Sequence, residues 1–293
     1  MTPQLNRRAL LKGAALTAGT VALIRGGLRA APAHAQDQMG SGTVLTFQKA
    51  GVTFHTYVSP AQAVNVTAHV IELGGQLLLV DATMIPPTAM EVAGLVAATG
   101  KPVHTAYVSH EHPDHWGGVS TMDGVAFQTL PAIREAVRAE AAQGQFPEPT
   151  SLLTGADLTL GMTEIGGVAI ELRSYDNAEA PKTIVAVLPE QKVAVVQDLV
   201  YNGVYSAPGI DRMNWIATLQ ELRDDPAFET LLVGHGLPTT RAELDTAIAY
   251  LQVLEAAWQD AETPDEVSAA MVAAFPGAEG AFLLSLIPEY WDK

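Results

Sequence analysis

The chain has 293 residues, 48% of them hydrophobic and 16% charged, with 25 Gly, 18 Pro and no Cys. The absence of cysteine excludes disulfides, a thiolate nucleophile, iron–sulfur clusters and sulfur-ligated metals, so a metal can meet only nitrogen and oxygen. With 16 Lys and Arg against 32 Asp and Glu, the protein's field repels phosphate backbones and anionic membrane surfaces, which argues against nucleic-acid binding.

In chain order, the first segment is an address. All five charges in residues 1–36 are basic. Asn6-Arg7-Arg8-Ala9-Leu10-Leu11-Lys12 precedes a weakly apolar run from Gly13 to Ile24, followed by Arg25, Arg29 and Ala33-His34-Ala35. That order is a basic region, an apolar region and a small-residue cleavage site. The apolar run has 12 residues, short of the roughly 20 that span a membrane, so no membrane anchor is expected. The arginine pair followed by Leu-Leu-Lys resembles the twin-arginine export signal of bacteria. The resemblance implies passage through the twin-arginine machinery, removal of residues 1–35, a chain starting near Gln36, and a periplasmic or secreted location.

Val44–Phe47 and Val52–Val58 read as strands around Ala50-Gly51, and Val66–Leu73 and Gln76–Val80 as a hairpin across Gly74-Gly75. Pro86-Pro87 opens a helix that Gly100 stops. Val103–Ser109 is a short strand running into a histidine cluster. Val125–Leu130 reads as a strand, Pro131 to about Ala142 as a helix and 143–156 as a loop. Val168–Leu172, Thr183–Leu188 and Val193–Val196 are strand-like, the last two joined across Pro189-Glu190-Gln191. Trp215–Arg223 reads as a helix, Thr230–Val233 as a strand, and Ala242–Ala261 and Asp265–Ala274 as helices. No repeat or linker divides residues 36–293, so a single domain with a C-terminal helical tail at 263–293 is expected. Strands dominate each half with helices between them, which suggests an α/β sandwich with one sheet from each half.

The sharpest chemical signal is Ser109-His110-Glu111-His112-Pro113-Asp114-His115-Trp116-Gly117-Gly118. On a loop after a buried strand, His110 and His112 can turn toward one ion, and Asp114 and His115 toward a second. Imidazole nitrogen and carboxylate oxygen suit zinc, and also manganese or iron.

This H-x-H-x-D-H-x-G-G pattern resembles the metal signature of the metallo-β-lactamase superfamily. The likeness extends over most of residues 44–262. It includes Asp81 at the end of a strand, Asp198-Leu199 where the family has a G-D-L element, and Val233-Gly234-His235-Gly236 where it carries its last histidine. It implies an αββα sandwich of two mixed sheets with helices on the outer faces. It also implies a dinuclear site in which Asp198 bridges the metals and, with Asp114, positions a hydroxide between them, with His235 completing the second site and Asp81 supporting the histidine loop. Two departures stand out. Gln197 replaces the glycine of G-D-L, and Glu179, in Asn177-Ala178-Glu179-Ala180-Pro181, stands where the family has a third histidine for the first metal. Two readings compete: the first site is broken, or Glu179 replaces the histidine, since His₂Glu is a working zinc set. Glu-Ala-Pro also resembles the alkylsulfatase branch, whose enzymes are longer and usually have Glu in place of Asp198. With Glu179 as ligand, three carboxylates face two dications. A bridging hydroxide then leaves no net charge, so weaker Lewis acidity and an alkaline optimum, or a different native metal, are expected.

Tyr201, Asn202 and Tyr205 follow Asp198 and can donate to a developing oxyanion. Lys182 can meet an anionic substrate group. Glu111 is expected to face solvent and Trp116 to pack, and His55, His69 and His104 are expected to be half-buried strand histidines. The reading is an exported dinuclear hydrolase with two divalent metals, zinc first, acting on an ester-like bond of a small molecule: a sulfuric ester, lactone or β-lactam. Iron-dependent redox chemistry on the same fold and a degenerate metal-binding module are the alternatives. Oligomeric state is not legible. If the address is right, Arg7→Lys with Arg8→Lys abolishes export. Fractionation that finds the double variant at normal periplasmic levels refutes it.

Overall fold

The structure, a computed structural model, describes residues 40–206 and 208–291. The export segment 1–35 and the chain start near Gln36 lie outside the described residues. Runs of Val, Ile and Leu between Gly and Pro pairs form strands, because branched side chains suit a buried pleat. The first half runs β1 (Thr43–Lys49), β2 (Val52–Val58), β3 (Thr67–Leu73), β4 (Gln76–Val80), α1 (Pro86–Thr99) and β5 (Val103–Tyr107). A single turn, α2 (Pro113–Trp116), then leads to β6 (Phe127–Gln128), α3 (Pro131–Ala141) and α4 (Thr150–Leu153). The second half runs β7 (Gly161–Ile165), β8 (Val168–Asp176), β9 (Lys182–Leu188), β10 (Val193–Tyr201) and α5 (Arg212–Asp224). After it come β11 (Thr230–His235), β12 (Thr239–Thr240), α6 (Ala242–Asp260), α7 (Pro264–Ala274) and a 3₁₀ run, Ala281–Tyr290.

The strands make two six-stranded sheets, in the orders β1-β2-β3-β4-β5-β6 and β12-β11-β10-β9-β8-β7. Both are mixed: β4–β5, β5–β6 and β10–β11 are parallel and the other pairs antiparallel. A parallel pair needs a crossover, and α1 and α5 supply two of them. Ile71 and Leu79 of one sheet share a core with Ile184, Val195 and Leu232 of the other. On that core α1 buries Ala89 and Val92, and α3 buries Ile133 and Val137. Leu219 and Leu222 of α5, Leu251 and Leu254 of α6 and Met271 of α7 cover the second sheet. This is the expected αββα layering.

Several expectations need correction. The expected strand 125–130 narrows to two residues, and a helical turn, α4, interrupts the expected loop 143–156. β7 carried no signal, because this edge strand exposes Met162, Thr163 and Glu164 and buries only Ile165. β10 runs on through polar Gln197 and Asp198 to Tyr201, and all nine of its residues are buried. Among the described residues no helix is long and apolar enough to cross a membrane.

The sheets are also joined by polar contacts. Thr67 Oγ1 donates to the Val233 carbonyl at 2.6 Å. His69 on β3 meets Gln197 Oε1 on β10 through Nε2 at 2.8 Å, and its Nδ1 lies 3.0 Å from Thr56 Oγ1. Burial lowers His69 from 6.5 to about 4. Between those values the unfolded chain takes up a proton that the folded chain refuses, so stability falls as pH drops. Between pH 7 and 5 this site should destabilise the fold by roughly 2 kcal/mol. Urea unfolding at the two pH values checks this, and His69→Gln should remove that part of the pH dependence.

Candidate metal centre

Five chain segments converge at one rim of the sandwich. β4 delivers Asp81 just past its end, β5 leads into Ser109-His110, and the turn between β8 and β9 carries Glu179. β10 carries Asp198, and β11 ends on His235. The histidine motif is not wholly a loop. His112 precedes α2, with Pro113 at its first position, where a missing N–H is harmless. His115 N donates to the His112 carbonyl at 3.1 Å, and Gly117 N to that of Pro113 at 2.7 Å. Gly117 and Gly118 then press against the carbonyls of Met84 and Ala82, where a Cβ would clash.

This turn splits the donors into two groups. His110, His112, Glu179 and Asp198 each offer an atom within 4.8 Å of the others, as do Asp114, His115 and His235. Asp198 stands between them: Oδ2 is 3.6 Å from His110 Nε2 and 3.3 Å from His235 Nε2, and Oδ1 is 3.0 Å from His115 Nε2. Asp114 Oδ2 is 3.2 Å from His235 Nε2. Glu179, fully buried, lies 3.4 Å from His112 Nδ1 and 4.0 Å from His110 Nε2. All seven sequence-picked ligands therefore meet, Glu179 included.

Hydrogen bonds behind the cage set which ring nitrogen faces it. Asp81 accepts from Ser109 N at 2.7 Å and Ser109 Oγ at 2.8 Å. It also accepts from His115 Nδ1 at 2.7 Å and from the Gln197 amide. Because Ser109 gives its hydroxyl proton to Asp81, its oxygen accepts from His110 Nδ1 at 2.8 Å. His235 Nδ1 donates to the Val64 carbonyl at 2.7 Å. Each of these three rings thus turns a bare Nε2 inward. The buried atoms His110 Nε2, His115 Nε2, His235 Nε2, Glu179 Oε2 and Asp198 Oδ1 have no hydrogen-bond partner. With the rings in these tautomers, five buried acceptors line one space, a lining that fits divalent cations.

Protons compete for the same lone pairs. Burial and then the charge of Asp198 push the Glu179 carboxyl well above the usual range. Burial also opposes ionisation of Asp198, but His115, His235 and His110 pull it well below. His235 rises to about 9, because Asp198 and Asp114 outweigh the effect of burial. Protons and cations compete for these lone pairs, so cation binding releases protons and tightens as pH rises.

Of the other sequence candidates, Asp81 is the supporting carboxylate described above. Tyr201 joins the cage, and its hydroxyl is committed to the ligands. It donates to Asp198 Oδ2 at 2.7 Å, lies 3.3 Å from Glu179 Oε1, and its ring stacks on His235. Asn202, Tyr205 and Lys182 are not brought to it. Asn202 braces the turn after His235 by donating to the Leu237 carbonyl at 2.8 Å. Tyr205 donates to the Phe275 carbonyl at 2.7 Å. Lys182 pairs with Asp176. Glu111 is half-buried rather than solvent-facing, and burial raises its carboxyl. Trp116 packs, fully buried, with its indole N–H on the Glu111 carbonyl. His55 is half-buried between Thr46 and Glu72, and His104 is exposed. Sequence reasoning missed Ser109, Gln197 and the Val64 carbonyl as positioning groups. Gln197 was visible as a departure from a pattern, and a backbone carbonyl leaves no signal.

Gly234 packs so closely on Asp198 that an added Cβ would overlap its carboxylate. Gly234→Ala should displace Asp198 and weaken cation binding roughly tenfold or more, measured by competition with a chromogenic chelator.

A family profile described as the metallo-beta-lactamase superfamily matches residues 61–235, a span that contains Asp81 and all seven cage residues. Among solved structures, a metallo-beta-lactamase from Pontibacter korlensis is similar, with a TM-score of 0.59 and 20% identity. The match covers 72% of this chain and 99% of that one.

Proposed function

The chain belongs to the metallo-β-lactamase superfamily, and from that premise we propose that it is a dinuclear metal-dependent hydrolase of ester-like bonds. The observation that carries the reading is five unpartnered buried acceptors converging where Asp198, grouped with His110, His112 and Glu179, also reaches His115 and His235. Divalent cations held there would lower the pKa of a bound water and polarise the bond to be cleaved.

The chain's own residues would hold and orient such a pair. His110, His112 and Glu179 would serve one position, Asp114, His115 and His235 the other, with Asp198 within reach of both. Asp81 keeps His115 and, through Ser109, His110 in the tautomers that expose Nε2. Tyr201 clamps Asp198 and stacks on His235, which limits both to one rotamer. Glu179 lies close enough to both His110 and His112 to act as the third ligand of the first position, which supports its reading as ligand over a broken site. The donor set, all nitrogen and oxygen, suits zinc first and also manganese or iron. The Glu-Ala-Pro string supports sulfuric esters within the class, and the resemblance of residues 1–35 to an export signal supports a periplasmic or secreted enzyme on small-molecule substrates.

Asp198→Ala should lose at least one metal equivalent and lower the rate about a hundredfold or more. Glu179→Ala should lower metal content from two toward one. Glu179→His should restore it and shift the pH–rate profile to lower pH, because removing a negative charge eases ionisation of a bound water. Metal analysis and rates of the three variants check this. Full metal and full rate in both alanine variants would sink the reading.

A further inference from the structure

We propose that a cavity sharing Tyr201 with the cage binds a small uncharged phenol or alcohol, with the ligand's hydroxyl on Ser206. The proposal does not depend on the hydrolase reading.

The cavity has a volume of about 100 Å³ and lies between the end of β10, α5, α6 and the chain after α7. α6 gives it one face: Glu243, Thr246, Ala247, Tyr250 and Leu251, at helical spacing. Leu199, Trp215 and Phe275 come from the other elements. None of the seven cage residues lines it. Tyr201 is the boundary between the two sites. It lines the cavity, while its ring stacks on His235 and its hydroxyl donates to Asp198.

The walls are mostly apolar, and their ring donors are already engaged. Trp215 Nε1 donates to the Leu199 carbonyl at 3.0 Å, and the Tyr201 hydroxyl is committed to Asp198. Ser206 is left over. It is 5% exposed, and its Oγ is buried without a hydrogen-bond partner among the described residues. Its backbone N–H donates to the Tyr250 hydroxyl at 3.3 Å, so the two hydroxyl-bearing residues are neighbours on the lining. A buried hydroxyl without a partner is costly, and a ligand hydroxyl, which both donates and accepts, removes that cost. Water alone would satisfy Ser206 but would sit against apolar walls with few further partners.

Charged ligands fit poorly. No Lys or Arg lines the cavity, so an anion meets no counter-charge. Glu243 does not call for a cation. It stands in the first turn of α6, where the helix dipole favours an acid. Burial also raises its carboxyl, and surroundings that disfavour that charge disfavour a ligand's charge too. Size limits the occupant further. A dry apolar cavity of about 150 Å³ takes benzene, so this one is limited to a single ring or a short branched chain.

The test titrates the full chain with phenol, fluorobenzene, benzylamine and benzoate, following the Trp215 indole N–H by two-dimensional proton–nitrogen NMR. Phenol should bind with a Kd of about 1 mM or tighter. It should match or exceed fluorobenzene, which has its size and leaves water more readily, and should bind about tenfold or more tightly than benzylamine and benzoate. Ser206→Ala should weaken phenol several-fold and leave fluorobenzene unchanged. Ala247→Leu, which fills the cavity from α6, should weaken both. An unmoved Trp215 signal at tenfold that phenol concentration overturns the proposal. So does tighter binding of fluorobenzene or of either ion, or phenol binding that Ser206→Ala leaves intact. Each of these results leaves the hydrolase reading standing.

Discussion

The cage depends on one buried carboxylate. Asp81 accepts hydrogen bonds from the Ser109 backbone, the Ser109 hydroxyl, His115 and Gln197. Through His115 it orients one donor group and through Ser109–His110 the other. Its own backbone is tied at both sides, donating to Tyr107 and, through Ala82, to the His115 carbonyl. Four donors converge on this carboxylate, and that is what makes His115, and through Ser109 His110, donate backwards and offer a lone pair forwards.

Holding that arrangement strains the backbone. Asp81, Thr83, Asn177 and Gln197 have φ of 62°, 60°, 51° and 45°, and Val64, whose carbonyl holds His235, has 53°. Left-handed backbone is tolerated best by Asp81 and Asn177 and is most disfavoured for the β-branched Thr83 and Val64. The branched residues cost about 1–3 kcal/mol each, and they persist only where the surrounding contacts over-determine them. Here those contacts are the two sheets, joined behind the site by His69–Gln197 and Thr67–Val233. The Gln197 side chain joins both systems, with its amide on Asp81 and its oxygen on His69.

The part of the chain beyond the family match is built into the site's surroundings. Glu279 bridges to Val204 and accepts from Asn65 at 2.9 Å, next to the Val64 that holds His235. Tyr205 reaches Phe275, and the run ending at Tyr290 brings a phenol within the field of Glu179 and Asp114. The C-terminal segment thus packs on the loop after β10 and on Asn65, the neighbour of the residue that holds His235.

The sequence by itself determined the sandwich, because apolar strands with Gly-Gly and Pro-Glu-Gln turns state their own boundaries. It also singled out the nitrogen and oxygen donors of the histidine motif, because metal chemistry needs particular side chains at close spacing. Its limits were equally physical. β7 escaped because an exposed edge strand needs no apolar alternation, and the end of β10 because buried Gln197 and Asp198 look like a strand's polar end. The competing readings of Glu179 turned on distances across 67 to 69 residues of chain, which spacing alone does not encode. Only the tertiary structure brought Glu179 beside His110 and His112, led Asn202, Tyr205 and Lys182 away, and recruited the Val64 carbonyl. Those outcomes depend on which backbone and side-chain groups remain unpaired when two sheets close on each other, a property of the packed whole that no local run of residues carries.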